Sequence, residues 1–313
     1  MSRRSGLKRR KPRFRRQTKP GASPGTIRAQ PDASQPIIRV LAYGPSEVVE
    51  ERVDRVDQLS LYLDKYPVTW INVDGLGDVA IIQALGELFD LHPLTLEDVV
   101  HVHQRPKVEP FDEHLFVVAR MVKASQRLET EQVSLFLGKN YVLTFQEQVG
   151  DCFDPVRERI RLSNSRVRRV GADYLAYALL DTAIDSYFAV VDCYADRLEE
   201  LDDAISLGQG PGINERIHDV RSDLLILRRA IRPHRDAVNE LIRENHPLIG
   251  DETRLFLRDC YDHTVQLTEL LEVYRESCAD LRDYHFSLMS DRMNEVMKVL
   301  TIIATIFIQL SFI

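Results

Sequence analysis

The sequence predicts a protein of mixed α/β class, in which a sheet-containing domain is followed by a long helical hairpin and one very long helix. Three observations predict this architecture: β-branched apolar runs before residue 150, helical periodicity after Ala172, and no Pro or Gly in residues 251–313. A chain of 313 residues has room for about two domains. The expected divisions are a tail (1–36), an α/β domain (37–170), an acidic helical hairpin (171–250), a stalk helix (251–298) and an apolar segment (299–313).

The predicted strands are short, apolar and rich in β-branched residues, which is the pattern of buried strands. They are "IIRVLAY" (37–43), "VTWINVD" (68–74), "LFVVARM" (115–121), "VSLFLG" (133–138) and "YVLTF" (141–145). Lys139 and Asn140 separate the last two strands and predict a hairpin turn. Helices are predicted over residues 78–90 and 93–101, and another begins with Asp154 as N-cap and Pro155 at the first helical position.

From Asp173 to Leu207 one apolar stripe recurs at helical spacing. Its members are Tyr174, Tyr177, Ile184, Tyr187, Val191, Tyr194, Leu198, Leu201 and Ile205. The "GQGPG" break (208–212) and a second helix over 214–242, with a bend expected at Pro233, complete a helical hairpin. Residues 173–203 hold nine acidic residues and one Arg. A charged helical face is usually only a solvated face, but this imbalance suggests a cation partner.

The last 63 residues predict a single helix of about 95 Å, which is too long for the core of a compact domain. A seven-residue repeat of apolar side chains predicts a stalk that bundles with copies of itself. The residues of this repeat are Leu267, Leu271, Tyr274, Cys278, Leu281 and Leu288. Residues 299–313 are fifteen uncharged residues, whereas a membrane-spanning helix needs about 20. We therefore expect the printed chain to contain only the start of a transmembrane helix.

Charge is distributed unevenly along the chain. Residues 1–30 carry eleven Lys and Arg and no acidic residue, which leaves thirty basic against forty-eight acidic residues elsewhere, a net charge of −18. The tail has no apolar stretch typical of a secretory signal and is expected to be disordered. It is interpreted as a solubilising arm, with anionic lipid or nucleic acid as alternative partners. The four cysteines lie far apart, so neither a disulfide framework nor a zinc framework is predicted.

Several segments then carry a resemblance to the CorA family of magnesium channels, in the order in which that family has them. They are "LHPLTLEDVVHVHQRPKVE" (91–109), "EQVSLFLGKNYVLTFQE" (131–147), "GDCFDPVRERIR" (150–161), "YDHTVQL" (261–267) and "NEVMKVLTIIATIF" (294–307). The resemblance implies a homopentamer in the cell (inner) membrane, with the N-terminal α/β domain in the cytoplasm. It also implies a Gly-Met-Asn loop and a second membrane helix, which are absent from this sequence. The family usually has Pro where this chain has Gln309.

The same resemblance implies regulatory Mg²⁺ sites between subunits. Asp98 of one subunit would face Asp259 of the next, with Glu97 and Asp181 nearby as a secondary site. Mg²⁺ prefers carboxylates together with retained waters, so acidic residues across a water-filled gap suit it. Spacing alone would instead favour four ordinary surface acids.

A pore is expected along the final helix, where one set of positions shares an arc of about 120°. The set comprises Asn294, Met297, Leu300, Ala304, Ile308 and Ser311. Asn294 would form a ring of amides at the cytoplasmic mouth, and Met297 and Leu300 would form apolar rings that gate by dewetting. Asp283 lies further down the stalk, where it would concentrate cations. Plain coiled-coil packing predicts the same inward positions.

Three functions remain open from the sequence. The first is a divalent-cation channel, for Mg²⁺ with Co²⁺ or Ni²⁺ as further ions, in which Mg²⁺ is both transported and regulatory. The second is a CorA-like zinc transporter, and the third is a cation-binding module without transport. His92, His101 and His103 form a weaker zinc candidate. No nucleophile–base pair, phosphate loop or RNA-binding motif is present, so neither an enzyme nor a nucleic-acid partner is predicted.

Residues 1–313 by themselves are expected not to conduct Mg²⁺. Fifteen uncharged residues reach about 22 Å, whereas the hydrocarbon core of a bilayer is about 30 Å thick. The measurement is growth in low Mg²⁺ of cells that lack their own magnesium uptake. Rescue by this chain alone would contradict the expectation, and rescue only after addition of the loop and second helix would agree with it.

Overall fold

A seven-stranded mixed sheet organises the first half of the chain, with strand order β2-β1-β3-β7-β6-β5-β4. The computed structural model describes residues 21, 23–31, 33–63, 65–124, 128–208 and 212–311. Strands β3 and β7 pair in parallel, and the other neighbouring strands pair antiparallel. The strands are β1 (Ile37–Tyr43), β2 (Val48–Val53), β3 (Val68–Asp74), β4 (Lys107–Pro110), β5 (Leu115–Ala124), β6 (Leu128–Leu137) and β7 (Tyr141–Gln146).

Helices cover both faces of the sheet, so alternate residues of the strands enter two separate cores. One core holds Val40 and Ala42 with residues of the two short helices that follow β3, and the other holds Leu41 and Tyr43 with residues of the long helices. The helices are α1 (Ser60–Leu63), α2 (Val79–Leu88), α3 (Pro93–Val100), α4 (Asp154–Arg161), α5 (Ala172–Ser206), α6 (Ile213–Arg243) and α7 (Asp251–Ser311).

All five predicted strands and the predicted hairpin turn after Leu137 are present. Two edge strands, β2 and β4, were not predicted, because neither is an apolar run: β2 reads VVEERV, and β4 is four residues ending in Pro. Asp154, predicted as an N-cap, is instead the first residue of α4. Phe153 occupies the cap position, and the Asp154 carboxylate pairs with Arg157 at 2.9 Å.

The long helix is less isolated than the sequence predicted. Its apolar stripe from Leu267 to Leu288 packs against α5 and α6 of the same chain, and Leu267, Leu271 and Cys278 are fully buried there. The hairpin therefore supplies packing that the apolar repeat had predicted to come from other copies of the stalk. Beyond Leu288 every residue of α7 whose side chain is described is exposed.

The N-terminal segment also differs from the expected disordered tail of residues 1–36. Its described part runs along the sheet domain: the Gly77 N–H donates to the Ser34 carbonyl at 2.8 Å, and the Gly25 N–H donates to Glu97 Oε2 at 2.7 Å. Gly75 has a φ of +100°, and a Cβ there would lie 2.5 Å from the Gln35 carbonyl oxygen, so a larger residue would not fit. Residues 1–20, the basic part, lie outside the described residues.

The helical hairpin is joined to the sheet at the peptide groups of Arg120. Strand β4 ends its pairing with β5 at Val118, so the Arg120 backbone lies beyond it. The Arg120 N–H donates to His234 Nε2 at 3.0 Å, and the Tyr187 hydroxyl donates to the Arg120 carbonyl at 2.9 Å. His234 follows the predicted Pro233 inside α6, and its Nδ1–H donates to the Ala230 carbonyl at 2.9 Å. This tautomer leaves Nε2 as an acceptor.

The buried His234 ring predicts a pH-dependent contribution to stability. Complete burial lowers the pKa of His234 to about 4, against about 6.5 in an unfolded chain. As the pH falls from 6.5 to 4, the unfolded state binds a proton that the folded state does not, so the fold loses up to about 3 kcal/mol. His234→Gln should be less stable than wild type at pH 7.5 by about 1–3 kcal/mol, because the Arg120 N–H loses a well-placed partner.

That deficit should shrink as the pH is lowered to 4.5. Urea unfolding followed by circular dichroism measures both free energies, and His218→Gln, a change at an exposed histidine, is the matched control. A constant difference between wild type and His234→Gln across this pH range would contradict the prediction.

Candidate divalent-cation sites

Helix α3 presents the first pair of predicted metal ligands, Glu97 and Asp98. The first residue of this helix is Pro93, and His92 is its N-cap. The Nδ1 atom of His92 accepts the Leu94 N–H at 3.2 Å. This role explains His92 without zinc. Glu97 Oε1 lies 3.5 Å from His101 Nδ1, while Glu97 Oε2 accepts the hydrogen bond of the Gly25 N–H. The carboxylate is thus held between its own helix and the N-terminal segment.

Asp98 already has a cationic partner within the chain. Lys107 Nζ lies 2.5 Å from Asp98 Oδ2, and Gln104 Nε2 donates to Asp98 Oδ1 at 2.9 Å. Burial lowers the pKa of Lys107, but its hydrogen bonds to Asp98 and Glu109 outweigh burial and raise it overall, so the ammonium stays charged. The Asp98 side chain is 24% exposed. A cation at Asp98 would therefore share this carboxylate with Lys107 or displace the ammonium.

The second pair, Asp181 and Asp259, lies on the long helices around His263. Asp259 is 66% exposed, and its Oδ2 is 3.9 Å from His263 Nε2. Asp181 is only 13% exposed, and its Oδ1 is 3.8 Å from His263 Nδ1. Asp185, one turn along α5, approaches the same imidazole nitrogen at 2.9 Å. Asp185 and His263 were not predicted as ligands from the sequence, although the spacing of four between Asp181 and Asp185, and between Asp259 and His263, places each pair on one helix face.

These donors form a compact group that suits a cation. One donor atom from each of Asp181, Asp185 and His263 lies within 4.8 Å of the others. Asp181 Oδ1 and His263 Nδ1 are buried without a well-directed hydrogen bond. Burial, followed by repulsion from Asp185, raises the pKa of Asp181 to about 6. A divalent cation would relieve this repulsion, and two carboxylates with one imidazole suit Co²⁺ or Zn²⁺ as well as Mg²⁺. Among the described residues no such group includes His92, His101 or His103.

A single chain does not bring the two predicted pairs together. Helix α3 packs into the core on one face of the sheet, whereas α5 and α7 form the core on the other face. Asp181 and Asp259 share the imidazole of His263, but no contact joins them to Glu97 or Asp98 in the described part of the chain. A site built from all four carboxylates therefore requires a second subunit.

The predicted pore residues lie on α7. Asp283 is exposed and pairs with the adjacent Arg282 at 3.0 Å. Asn294, Met297, Leu300, Ala304 and Ile308 are all exposed in the single chain. Ser311 belongs to the helix, but its side chain lies outside the described residues, as does that of Gln309. The exposed side chains between Val299 and Ile308 are apolar or Thr, so the end of α7 presents an apolar surface all round.

A second helix is also long and apolar enough to be compared with a membrane span. Within the described residues, α5 (Ala172–Ser206) contains an 18-residue stretch with a mean hydropathy of 1.2, which is long and apolar enough to cross a membrane. However, 56% of that 18-residue stretch is buried in the structure, and the apolar stripe from Tyr174 to Ile205 faces the core. We therefore interpret α5 as a core helix and the end of α7 as the apolar surface that requires a lipid or protein environment.

The chain thus combines a sheet domain, a long helix with an uncharged end and a compact group of two carboxylates and an imidazole. A family model described as "CorA-like Mg2+ transporter protein" matches residues 67–313. The chain therefore belongs to this family. It is 43% identical over 279 residues to the cobalt/magnesium transport protein CorA of Thermotoga maritima, covering 88% of this chain and 80% of that protein.

Two further comparisons concern the fold and the metal. The complete structure of the CorA magnesium transporter from Methanocaldococcus jannaschii matches with a TM-score of 0.73 and 24% identity, covering 87% of this chain and 83% of that one. The zinc transport protein ZntB of Vibrio parahaemolyticus is 22% identical over 220 residues, covering 70% of this chain and 67% of that protein. The predicted family and architecture are thus confirmed, and the zinc-transporting relative is a distant one.

The Asp181 group predicts pH-dependent cation binding. Because a metal ligand must be deprotonated, Co²⁺ affinity at this group should fall as the pH drops below about 6, where Asp181 becomes protonated. At pH 7.5, Asp181→Asn should weaken binding on the order of tenfold, which is about 1.4 kcal/mol for one lost ligand. Titration calorimetry and the Co²⁺ absorption bands measure both effects. Asp202→Asn, at an exposed acid on the same helix, is the control, and equal affinities for both variants would contradict the prediction.

Proposed function

We propose that this chain is one subunit of a homopentameric Mg²⁺ channel, with Co²⁺ and Ni²⁺ as further transported ions, and that Mg²⁺ bound between neighbouring subunits holds the pore closed. The observation that carries this proposal is the division of the four carboxylates. Glu97 and Asp98 lie on one face of the sheet domain, and Asp181 and Asp259 lie on the long helices of the other face. In a ring of identical subunits, each face of one subunit meets the opposite face of the next, and this brings the pairs together.

Electrostatics supplies the coupling between the cation and the closed state. Two carboxylates about 4 Å apart across a seam repel each other by a few kcal/mol near a protein surface, and this repulsion recurs at five seams. Mg²⁺ with its retained waters would convert each repulsion into attraction. When internal Mg²⁺ is scarce, the seams lose their bridging ions and separate. The stalk helices continue from Asp259 into the pore, so a change at the seam reaches the pore along one rigid element.

The pore in this proposal is formed by five copies of the end of α7, with the apolar surface after Lys298 in the membrane and the N-terminal domain in the cytoplasm. Asn294 provides an amide ring that suits a hydrated cation. Met297 and Leu300 form apolar rings, which resist wetting when the bundle is narrow and so close the path. Ala304, Ile308 and Ser311 continue this lining, and Asp283 raises the local cation concentration below it.

Zinc transport is the second candidate, and one observation favours it. The Asp181–Asp185–His263 group offers an imidazole nitrogen beside two carboxylates, and imidazole suits Zn²⁺ and Co²⁺ better than it suits Mg²⁺. This group supports a site that responds to several divalent ions. The transported ion is decided by the pore, where Asn294 offers an amide carbonyl oxygen, a type of ligand that suits Mg²⁺ better than imidazole does.

Protease protection tests the regulatory site. Millimolar Mg²⁺ should protect the sheet domain and hairpin of the assembled protein from trypsin, because bridged seams open less often. Asp259→Lys should abolish this protection, since the lysine replaces a ligand and repels the ion. Asp98→Lys should have the same effect.

The matched control is Glu269→Lys, the same charge change at an exposed acid ten residues further along α7. It should retain full protection. If Mg²⁺ protects both seam variants as well as it protects the wild type, the proposed intersubunit site is incorrect.

A further inference from the structure

One lysine holds the position of a bound cation at the proposed regulatory site. Lys107 lies on β4, the last strand in the order of the sheet. Its Nζ atom is 2.5 Å from Asp98 Oδ2 and 2.6 Å from Glu109 Oε1. A single ammonium group therefore bridges two carboxylates, as a divalent cation would.

The geometry of the strand explains why these side chains converge. Lys107 and Glu109 are two residues apart on β4, so they share one face of the strand, while Val108 between them enters the core on the other face. The Lys107 ammonium also lies over the Phe116 ring, 5.6 Å from its centroid. With 21% of its side chain exposed, Lys107 is held at the edge of the sheet but remains accessible to solvent.

Asp98 is the fixed partner of this ion pair. Gln104 Nε2 donates to Asp98 Oδ1 at 2.9 Å, and Gln132 Nε2 donates to the Asp98 backbone carbonyl at 2.8 Å. Gln132 is itself buried on β6. Lysine, by contrast, carries its charge at the end of a flexible four-carbon chain. An incoming cation would therefore find the carboxylate in place and would displace the lysine.

Glu109 gives the displaced ammonium a second position. Its carboxylate is 41% exposed and already pairs with Lys107. When a divalent cation binds Asp98, Lys107 loses one of its two carboxylate partners and retains the other. The ion pair can then open without leaving a partly buried ammonium unpaired, a state that would be unfavourable.

We propose that Lys107 is an internal competitor for the regulatory cation, and that it sets the Mg²⁺ concentration at which the seams close. This inference rests on the proposed function, which places Asp98 opposite Asp259 of the neighbouring subunit. At low Mg²⁺ the ammonium occupies Asp98, and at high Mg²⁺ it pairs with Glu109 alone. Two cations on one carboxylate repel each other, so the bound lysine raises the Mg²⁺ concentration that closure requires.

Lys107→Met tests the competition, because it removes the ammonium and keeps an apolar side chain of similar length over Phe116. The quantity measured is the Mg²⁺ concentration at half-maximal protease protection of the assembled full chain, which we call the midpoint. Chymotrypsin is the suitable protease, since it does not cleave at lysine. The midpoint should fall by about fivefold, a typical coupling between sites. A purely structural role predicts the opposite sign, because a misplaced Asp98 would bind Mg²⁺ more weakly.

Further variants make this test specific. Lys107→Arg keeps the charge and can bind Asp98 through two parallel hydrogen bonds, so its midpoint should equal or exceed that of wild type. Glu109→Gln removes the second position of the ammonium and should raise the midpoint. In the Lys107→Met background the same change should have little effect, because Glu109 acts through the lysine. Lys139→Met, at an exposed lysine of the same domain, is the matched control and should leave the midpoint unchanged.

Loss of folding is separated from loss of competition by a second measurement. Urea unfolding followed by circular dichroism shows whether Lys107→Met folds, and Lys107→Gln carries the same expectation if it does not. A folded variant with an unchanged or raised midpoint would overturn the proposal. An equal decrease of the midpoint in Lys139→Met would also overturn it, because the effect would then come from general charge. Equal effects of Glu109→Gln in both backgrounds would overturn the role of Glu109 as the second position.

Failure of this competition is distinguishable from failure of the proposed function. The midpoint of Lys107→Met reports the competition, whereas the Asp98→Lys and Asp259→Lys variants report the seam. Protection that depends on both seam residues, combined with equal midpoints for wild type and Lys107→Met, would reject only the role of Lys107. Protection that is indifferent to both seam variants would reject the regulatory site itself, and with it the competition at that site.

Discussion

The anchoring of the Arg120 backbone to two helices determines how the rest of the molecule is arranged. The His234 ring accepts the Arg120 N–H, and the Tyr187 hydroxyl donates to its carbonyl, so α6 and α5 are fixed to β5 where β4 no longer pairs with it. Unpaired backbone groups at this buried edge would cost about 1–3 kcal/mol each. The guanidinium of the same residue donates to Thr130 and to the carbonyls of Val102 and Gln104. One residue thus joins the helical hairpin to the loop after α3.

This anchoring also sets the relation between the two pairs of carboxylates. The Gln104 carbonyl accepts a hydrogen bond from Arg120, and the Gln104 side chain donates to the Asp98 carboxylate. The Gln132 side chain donates to the Asp98 backbone carbonyl. On the opposite side of the sheet, Tyr187 follows Asp181 and Asp185 along α5. The two candidate surfaces are therefore parts of one rigid unit, each facing outward. A rigid unit with ligands on opposite faces is suited to a ring, because every seam then combines one face of each kind.

In the proposed function, acidic charge makes this arrangement sensitive to ions. Lys107 compensates Asp98, and His263 adjoins Asp181 and Asp185, so these candidate ligands are only partly neutralised by partners in the described part of the chain. A carboxylate whose negative charge is only partly neutralised within the chain can still bind a cation from solution.

The sequence by itself determined the elements with strong local signals. The five apolar strands, the stripe from Tyr174 to Ile205 and the helix without Pro or Gly follow from periodicity, and the family follows from several segments in order. Tertiary structure decided the features that depend on contacts distant in sequence: the edge strands β2 and β4, the packing of Leu267–Leu288 on the hairpin, and the position of Gly25 against Glu97. It also brought Asp185 and His263 to Asp181. A local pattern records which face of an element is apolar, but the partner of that face depends on how the whole chain packs.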